Sequence, residues 1–172
     1  MSAPLARRRL LCGLAAVPFA GSVAVATGTE ERADYRKRLL DAYAEDRAMR
    51  PVHGSCEGFS IEEEACCLVM ARVWNICDEI GRLPPAQTPA GLGLSAMASA
   101  LVWEGEAPSD MMDKAVISLI RATLVVTGTA MPPGWIGFGD EPGALERDRA
   151  LYDGTGIIPA WAMAEAEAAR CA

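Results

Sequence analysis

The sequence predicts an all-α protein: a small helical bundle of about four main helices plus short C-terminal helices, preceded by a signal segment. Two observations carry that expectation. Apolar residues recur at helical spacing in four separate stretches, and capping residues before and Pro or Gly after set the stretches apart. A third observation sets the N-terminus apart, where an apolar small-residue run follows a cluster of arginines. A chain of 172 residues can bury one hydrophobic core. With no repeats or low-complexity linkers, residues 27–172 read as a single helical domain behind a signal at residues 1–26.

Arg7, Arg8 and Arg9 precede the apolar run from Leu10 to Ala26, which closes on Ala24-Val25-Ala26. That is the three-part layout of a bacterial secretory signal, and it predicts cleavage after Ala26 and a periplasmic or secreted product. The run is short for a bilayer span and contains Gly13, Pro18 and Gly21. Retention as an inner-membrane anchor is one alternative. A cytoplasmic helical protein whose uncleaved N-terminal helix simply packs is another.

The first helix is expected from Glu30 to Met49. Thr29 is placed to cap it, Glu30 and Glu31 suit its dipole, and Arg50-Pro51 stops it. Its inner positions are Tyr35, Leu39, Ala42, Tyr43 and Met49. Arg36, Lys37, Asp41, Glu45 and Asp46 read as a solvated outer face, with Lys37 and Asp41 paired at i,i+4. A turn-rich loop over 51–59 follows, and Ser60 with Glu63 forms a capping box opening a second helix to Arg82. On a helical wheel Cys66, Met70, Val73, Cys77 and Ile80 share one face, with Val69 and Ile76 just beyond.

Pro84 and Pro85 end that helix, Thr88 caps the next and Pro89 suits its first position. From Pro89 to Trp103 the expected contact face is Leu92, Ala96, Ser99, Ala100 and Trp103. Ser109, with Asp110 behind it, caps a fourth helix whose face is Met112, Val116, Leu119, Ile120, Thr123 and Val126, ended by Gly128. The Pro- and Gly-rich stretch 129–143 carries Trp135, Ile136 and Phe138, either as a plug on the core or as an exposed partner-binding loop. Ala144 to Tyr152 and Pro159 to Arg170 complete the chain as short helices, the last loosely docked.

Charge and composition exclude several function classes. The net charge is −7, and removing the three arginines of the signal leaves 13 basic against 23 acidic residues, or −10. An acidic body without a basic stripe does not suit phosphate-backbone binding, so no nucleic-acid partner is expected. A membrane is expected only through the N-terminal segment, if it stays uncleaved. The partner is then an unidentified protein or small molecule.

Catalytic and metal signatures are sparse. Signal removal would leave Cys56, Cys66, Cys67, Cys77 and Cys171, an odd number. In an oxidising compartment Cys56 of the loop can reach Cys66 or Cys67 at the start of the next helix, and Cys56 with Cys67 is the pairing we carry forward. Cys66 and Cys77 read as packing residues on the apolar stripe. His53, the single histidine, could join Cys56 in a thiol-dependent site or, with Cys66 or Cys67, in a zinc site. Neither a low-pKa thiolate environment nor a C-x-x-C pair supports those chemistries, and no cofactor or metal is expected. Glu62, Glu63 and Glu64 point in different directions at a helix start and serve its dipole. Gly134, Gly137 and Gly139 open no helix after a strand and form no phosphate loop.

The stretch Ala6-Arg7-Arg8-Arg9-Leu10-Leu11 resembles a twin-arginine signal. Together with the turn Pro85-Ala86-Gln87-Thr88-Pro89-Ala90-Gly91-Leu92 it resembles a group of small uncharacterised alphaproteobacterial proteins. The resemblance implies a small, mostly helical exported protein and carries no activity with it. The functional expectation is a non-enzymatic binding or interaction module of the bacterial envelope. The rival from another class is a small thiol- or metal-dependent enzyme using His53 and Cys56.

Overall fold

The computed structural model of the protein describes residues 22–171, with side-chain surroundings from residue 32 onward. Among the described residues the chain is helices and loops, without strands. Six helices follow one another: α1 (Ser22–His53), α2 (Ile61–Arg82), α3 (Pro89–Val102), α4 (Met111–Thr127), α5 (Ala144–Ala150) and α6 (Ala160–Arg170). None of these helices is long and apolar enough to cross a membrane. The export segment lies outside the described residues except for positions 22–26, which form the start of α1.

α1 is longer than its sequence signals suggest. It runs through Thr29 without a cap and through Pro51, which falls in the last turn. There a proline forfeits one backbone bond without breaking several turns, and the chain stays helical to His53. Leu39, Ala42, Tyr43 and Met49 are buried as expected, and Lys37 donates to Asp41 at 2.7 Å. Asp46 departs from expectation. It is 3% exposed, because α1 lies in a fold that covers this side of the helix as well.

α2 starts where the capping box places it, with Ser60 accepting from Glu63 N–H at 3.1 Å. Its buried stripe is Ala65, Cys66, Val69, Ile76, Cys77 and Ile80, while Met70 and Val73 are half-buried. Thr88 caps α3 by accepting from Gly91 N–H at 3.1 Å, and Pro89 opens the helix. α3 contacts α1, α2 and α4, so nearly its whole circumference is buried. Leu94, Met97, Ala98 and Leu101 join Leu39, Tyr43, Ile76 and Ile80 in the main core cluster. Leu92 and Ser99, expected inside, are exposed. The close approach that small residues permit occurs at Gly93, where an added Cβ would lie 2.0 Å from Thr129 Oγ1.

α4 is capped by Asp110 rather than Ser109. Asp110 accepts from Asp113 N–H at 2.8 Å, and Asp113 accepts back from Ser109 N–H at 2.9 Å. Gly128 ends it with a φ of 64° in the left-handed region. Its inner face is Val116, Ile117, Ile120 and Leu124; Met112, Leu119 and Val126, predicted inside, face outward. α6 is docked more firmly than expected. Ala162 and Ala166 are buried in a second cluster with Met49, Ala65, Cys66 and Val69, and Trp161 Nε1 donates to Glu45 at 3.2 Å.

Candidate functional site

The proposed partner-binding loop is a core plug. Ile136 and Phe138 are 5% and 2% exposed, and Trp135 packs edge-on to Phe138 with ring centroids 5.4 Å apart. Apolar side chains of this size leave water when a backbone can be found to carry them, and here glycine supplies that backbone. Gly105 N–H donates to Gly137 O and Gly139 N–H to Glu106 O, both at 2.9 Å. A Cβ on Gly139 would stand 2.4 Å from Gly105 O. Trp135, Ile136 and Phe138 therefore do not form an exposed recognition surface.

The loop does build a site indirectly, through Glu104 at the end of α3. Glu104 accepts from Ile136 N–H at 3.0 Å, from Tyr43 Oη at 2.7 Å and from Arg47 Nη2. Arg47 lies over the Tyr43 ring at 4.2 Å and meets Asp46 Oδ2 at 3.4 Å. Arg50 donates from Nε to Asp46 Oδ2 at 3.2 Å and from Nη1 to Tyr152 Oη at 3.2 Å. Asp46 Oδ1 lies 3.1 Å from Arg50 Nη2, yet outside hydrogen-bonding alignment, and buried Arg47 Nε has no partner among the described residues. Tyr43, Arg47 and Arg50 recur three and four apart along α1, as do Asp46 and Arg50, so they emerge on one side of the helix.

These groups form the polar wall of a cavity between α1, α2 and the end of α3. Its accessible volume is about 90 Å³. Met70, Val73, Cys77, Leu101 and Val102 supply the apolar wall, and Trp74, 54% exposed, belongs to the same lining. The polar wall holds two arginines and two carboxylates, so its formal charges cancel. Burial raises the Glu104 carboxyl above the ordinary glutamate value, against the lowering pull of Arg47. Tyr43 is raised first by burial and then by the Glu104 charge. Burial opposes the charge on Arg50, but Asp46 and Tyr152 outweigh it and hold its pKa up. Cys77 is pushed up to about 12 by burial alone and stands there as a neutral thiol.

The other residues singled out in the sequence lie elsewhere. The Cys56 thiol donates to the backbone carbonyl of His53 at 3.3 Å, and half-buried His53 has an Nδ1 without a partner among the described residues. The pKa of the Cys66 thiol is raised to about 11, first by burial and then by its neighbours Cys56 and Cys67. Cys67 is exposed in an open groove between α2 and α6 beside Leu68, Ala71 and Ala166. All five described cysteines are free thiols. Among the described residues no three His, Cys, Asp or Glu side chains converge as metal ligands. Asp46, Arg47, Arg50 and Glu104 were missed by sequence reasoning, which treats each charge singly. The readable signal was Tyr43, Arg47 and Arg50 sharing the side of α1 that borders its apolar stripe.

Compared with known proteins, the chain matches no family model, and no curated protein or solved structure shows significant similarity to it.

Proposed function

We propose that this chain is an exported, non-enzymatic binding module whose site is the cavity bounded by Asp46, Arg47, Arg50, Glu104 and Trp74. The observation that carries the reading is a wall of buried and half-buried charge facing an open concavity with an exposed tryptophan in its lining. Burying Asp46 and half-burying Arg47, Arg50 and Glu104 is costly, and apolar replacements of similar volume often serve stability as well or better. Their retention beside an open cavity is what a binding site requires and a plain core does not. Recognition by a few fixed polar groups within an apolar lining is the usual constitution of a small-ligand site.

The balance of charge also selects the ligand. Each carboxylate is engaged by an arginine, so an ion of either sign would have to break a buried pair on entry. A neutral ligand with a hydrogen-bonding head and an apolar body fits better, either as a small amide or as one residue of a bound peptide. Export to the envelope is supported by the N-terminal arginine cluster and the apolar run that ends in Ala24-Val25-Ala26.

The test is a fluorescence titration with N-acetyl-leucinamide as the neutral probe. A saturable change in tryptophan emission is expected, and it should disappear in Trp74→Phe, whose fold is preserved because Trp74 lies largely at the surface. Equal responses from the parent and the Trp74→Phe variant would place binding elsewhere.

A further inference from the structure

The outer face of α4 is apolar where the surface of an acidic protein is ordinarily polar. Leu119 is 69% exposed, Val125 80% and Val126 83%, and Met111 and Met112 extend the patch at the N-terminal end of the helix. Met112, Ala115, Leu119, Ala122 and Val126 follow one another in steps of three, four, three and four, the spacing of a coiled-coil seam. After Lys114 the helix carries a single charged residue, Arg121. That residue is turned away from the stripe to Asp140 at 2.6 Å and over the Phe138 ring at 4.7 Å. Loss of charge from the centre of an exposed patch is the compositional mark of an interface.

We propose that this stripe is the interface of a homodimer, in which α4 of one copy packs antiparallel against α4 of a second copy. The argument for a second copy is self-complementarity. Small and large residues alternate along the seam, so an antiparallel pair can place Leu119 against Ala122 of the second copy and Val126 against Ala115. The twofold axis then repeats both contacts. Each layer holds one large and one small side chain, which lets the axes approach to about 8 Å, the close end of helix packing.

The area suits a weak, reversible pair. At ~25 cal/mol per Å² the usual burial energy of a Val, Leu or Met side chain corresponds to roughly 60–120 Å² each. Met112, Leu119 and Val126 from each copy, with the two alanines adding a little, bring the pair to roughly 400–800 Å², the size of a transient contact below the ~1,000 Å² of stable interfaces. A lipid surface is a poorer occupant, because the stripe lacks flanking Lys and Arg clusters and the chain carries −7. Two acidic chains repel at long range while the seam holds no ion pair. Added salt should therefore strengthen the dimer.

The test is sedimentation of the protein expressed from Met1 and purified as the cell leaves it, over a concentration series at low and high salt. A monomer–dimer equilibrium tightened by salt is expected. Leu119→Glu should weaken it at least about tenfold. Ala122→Leu should weaken it too, because the added bulk occupies the place of Leu119 from the second copy; against lipid or an unrelated protein the same change would preserve or tighten binding. Both positions are exposed, so circular dichroism identical to the parent confirms that either variant has folded. The proposal is overturned by a monomer at every concentration, or by a dimer indifferent to both substitutions. A monomer that floats with phosphatidylethanolamine–phosphatidylglycerol vesicles would also overturn it.

Discussion

The cavity wall on α1 and the outer face of α4 reverse the ordinary placement of residues in opposite senses. On α1, Asp46 and Arg47 are withdrawn from water among Tyr43, Glu104 and Arg50. On α4, Leu119 and Val126 stand in water, 69% and 83% exposed. The concave region keeps charge in its interior at an energetic cost, and the convex one leaves apolar area unused. Neither arrangement stabilises an isolated chain, and on the proposed reading each serves binding of a different kind. A concavity with about 90 Å³ of accessible volume suits one small side chain or polar head, whereas a straight helical stripe suits another helix.

The sharpest way to break this contrast is Arg47→Ala. It leaves Glu104 buried without its counter-charge, while Asp46 keeps Arg50, and the expected loss is about 3–5 kcal/mol of stability, measured by denaturant unfolding. A loss below about 1 kcal/mol would mean that the wall is more solvated than its burial implies. On α4 the comparison can be made between adjacent positions. Ile120→Ala should cost about 2–5 kcal/mol by opening a cavity under the helix, while Leu119→Ala should stay within about 0.5 kcal/mol for the monomer. Equal costs would show that the outer face is covered by the chain itself.

A smaller effect is expected from pH. Burial gives Glu104 a higher pKa in the folded protein than in the unfolded chain, so across that window the folded state binds more protons. Stability from this group is complete below the ordinary glutamate value and falls as pH rises through the folded value. Glu104→Gln should flatten that part of the stability–pH curve, as followed by urea midpoints. An unchanged slope would assign the titration to another group.

Much of the fold was legible in sequence because its signals are local. Ser60, Thr88 and Asp110 each bond a backbone N–H three residues on, and such caps need no knowledge of the rest of the chain. The stripe of α2 was legible for the same reason. What escaped depends on the partners a helix finds. α3 reads as one-sided but is surrounded, so Leu94 and Met97 are core residues and Leu92 is not. α4 has apolar residues almost all round, and periodicity cannot choose between Ile120 and Leu119.

The plug of Trp135, Ile136 and Phe138 was recognisable as apolar, but its direction was set by two backbone hydrogen bonds across Gly105, Gly137 and Gly139. The cavity wall was the least legible part. Asp46 and Arg47 look like any solvated pair on a helix, and only Tyr152 and Glu104, distant in sequence, turn that side of α1 inward.

The central claim is that the charged concavity binds and that the apolar convexity of α4 does not take the same ligand. Methyl NMR during titration with N-acetyl-leucinamide tests it most directly, since both regions carry methyl groups that report separately. The account predicts saturable shifts at Met70, Val73, Leu101 and Val102, with Leu119 and Val126 unmoved. Shifts confined to Leu119 and Val126, or none at the cavity up to solubility, would contradict it.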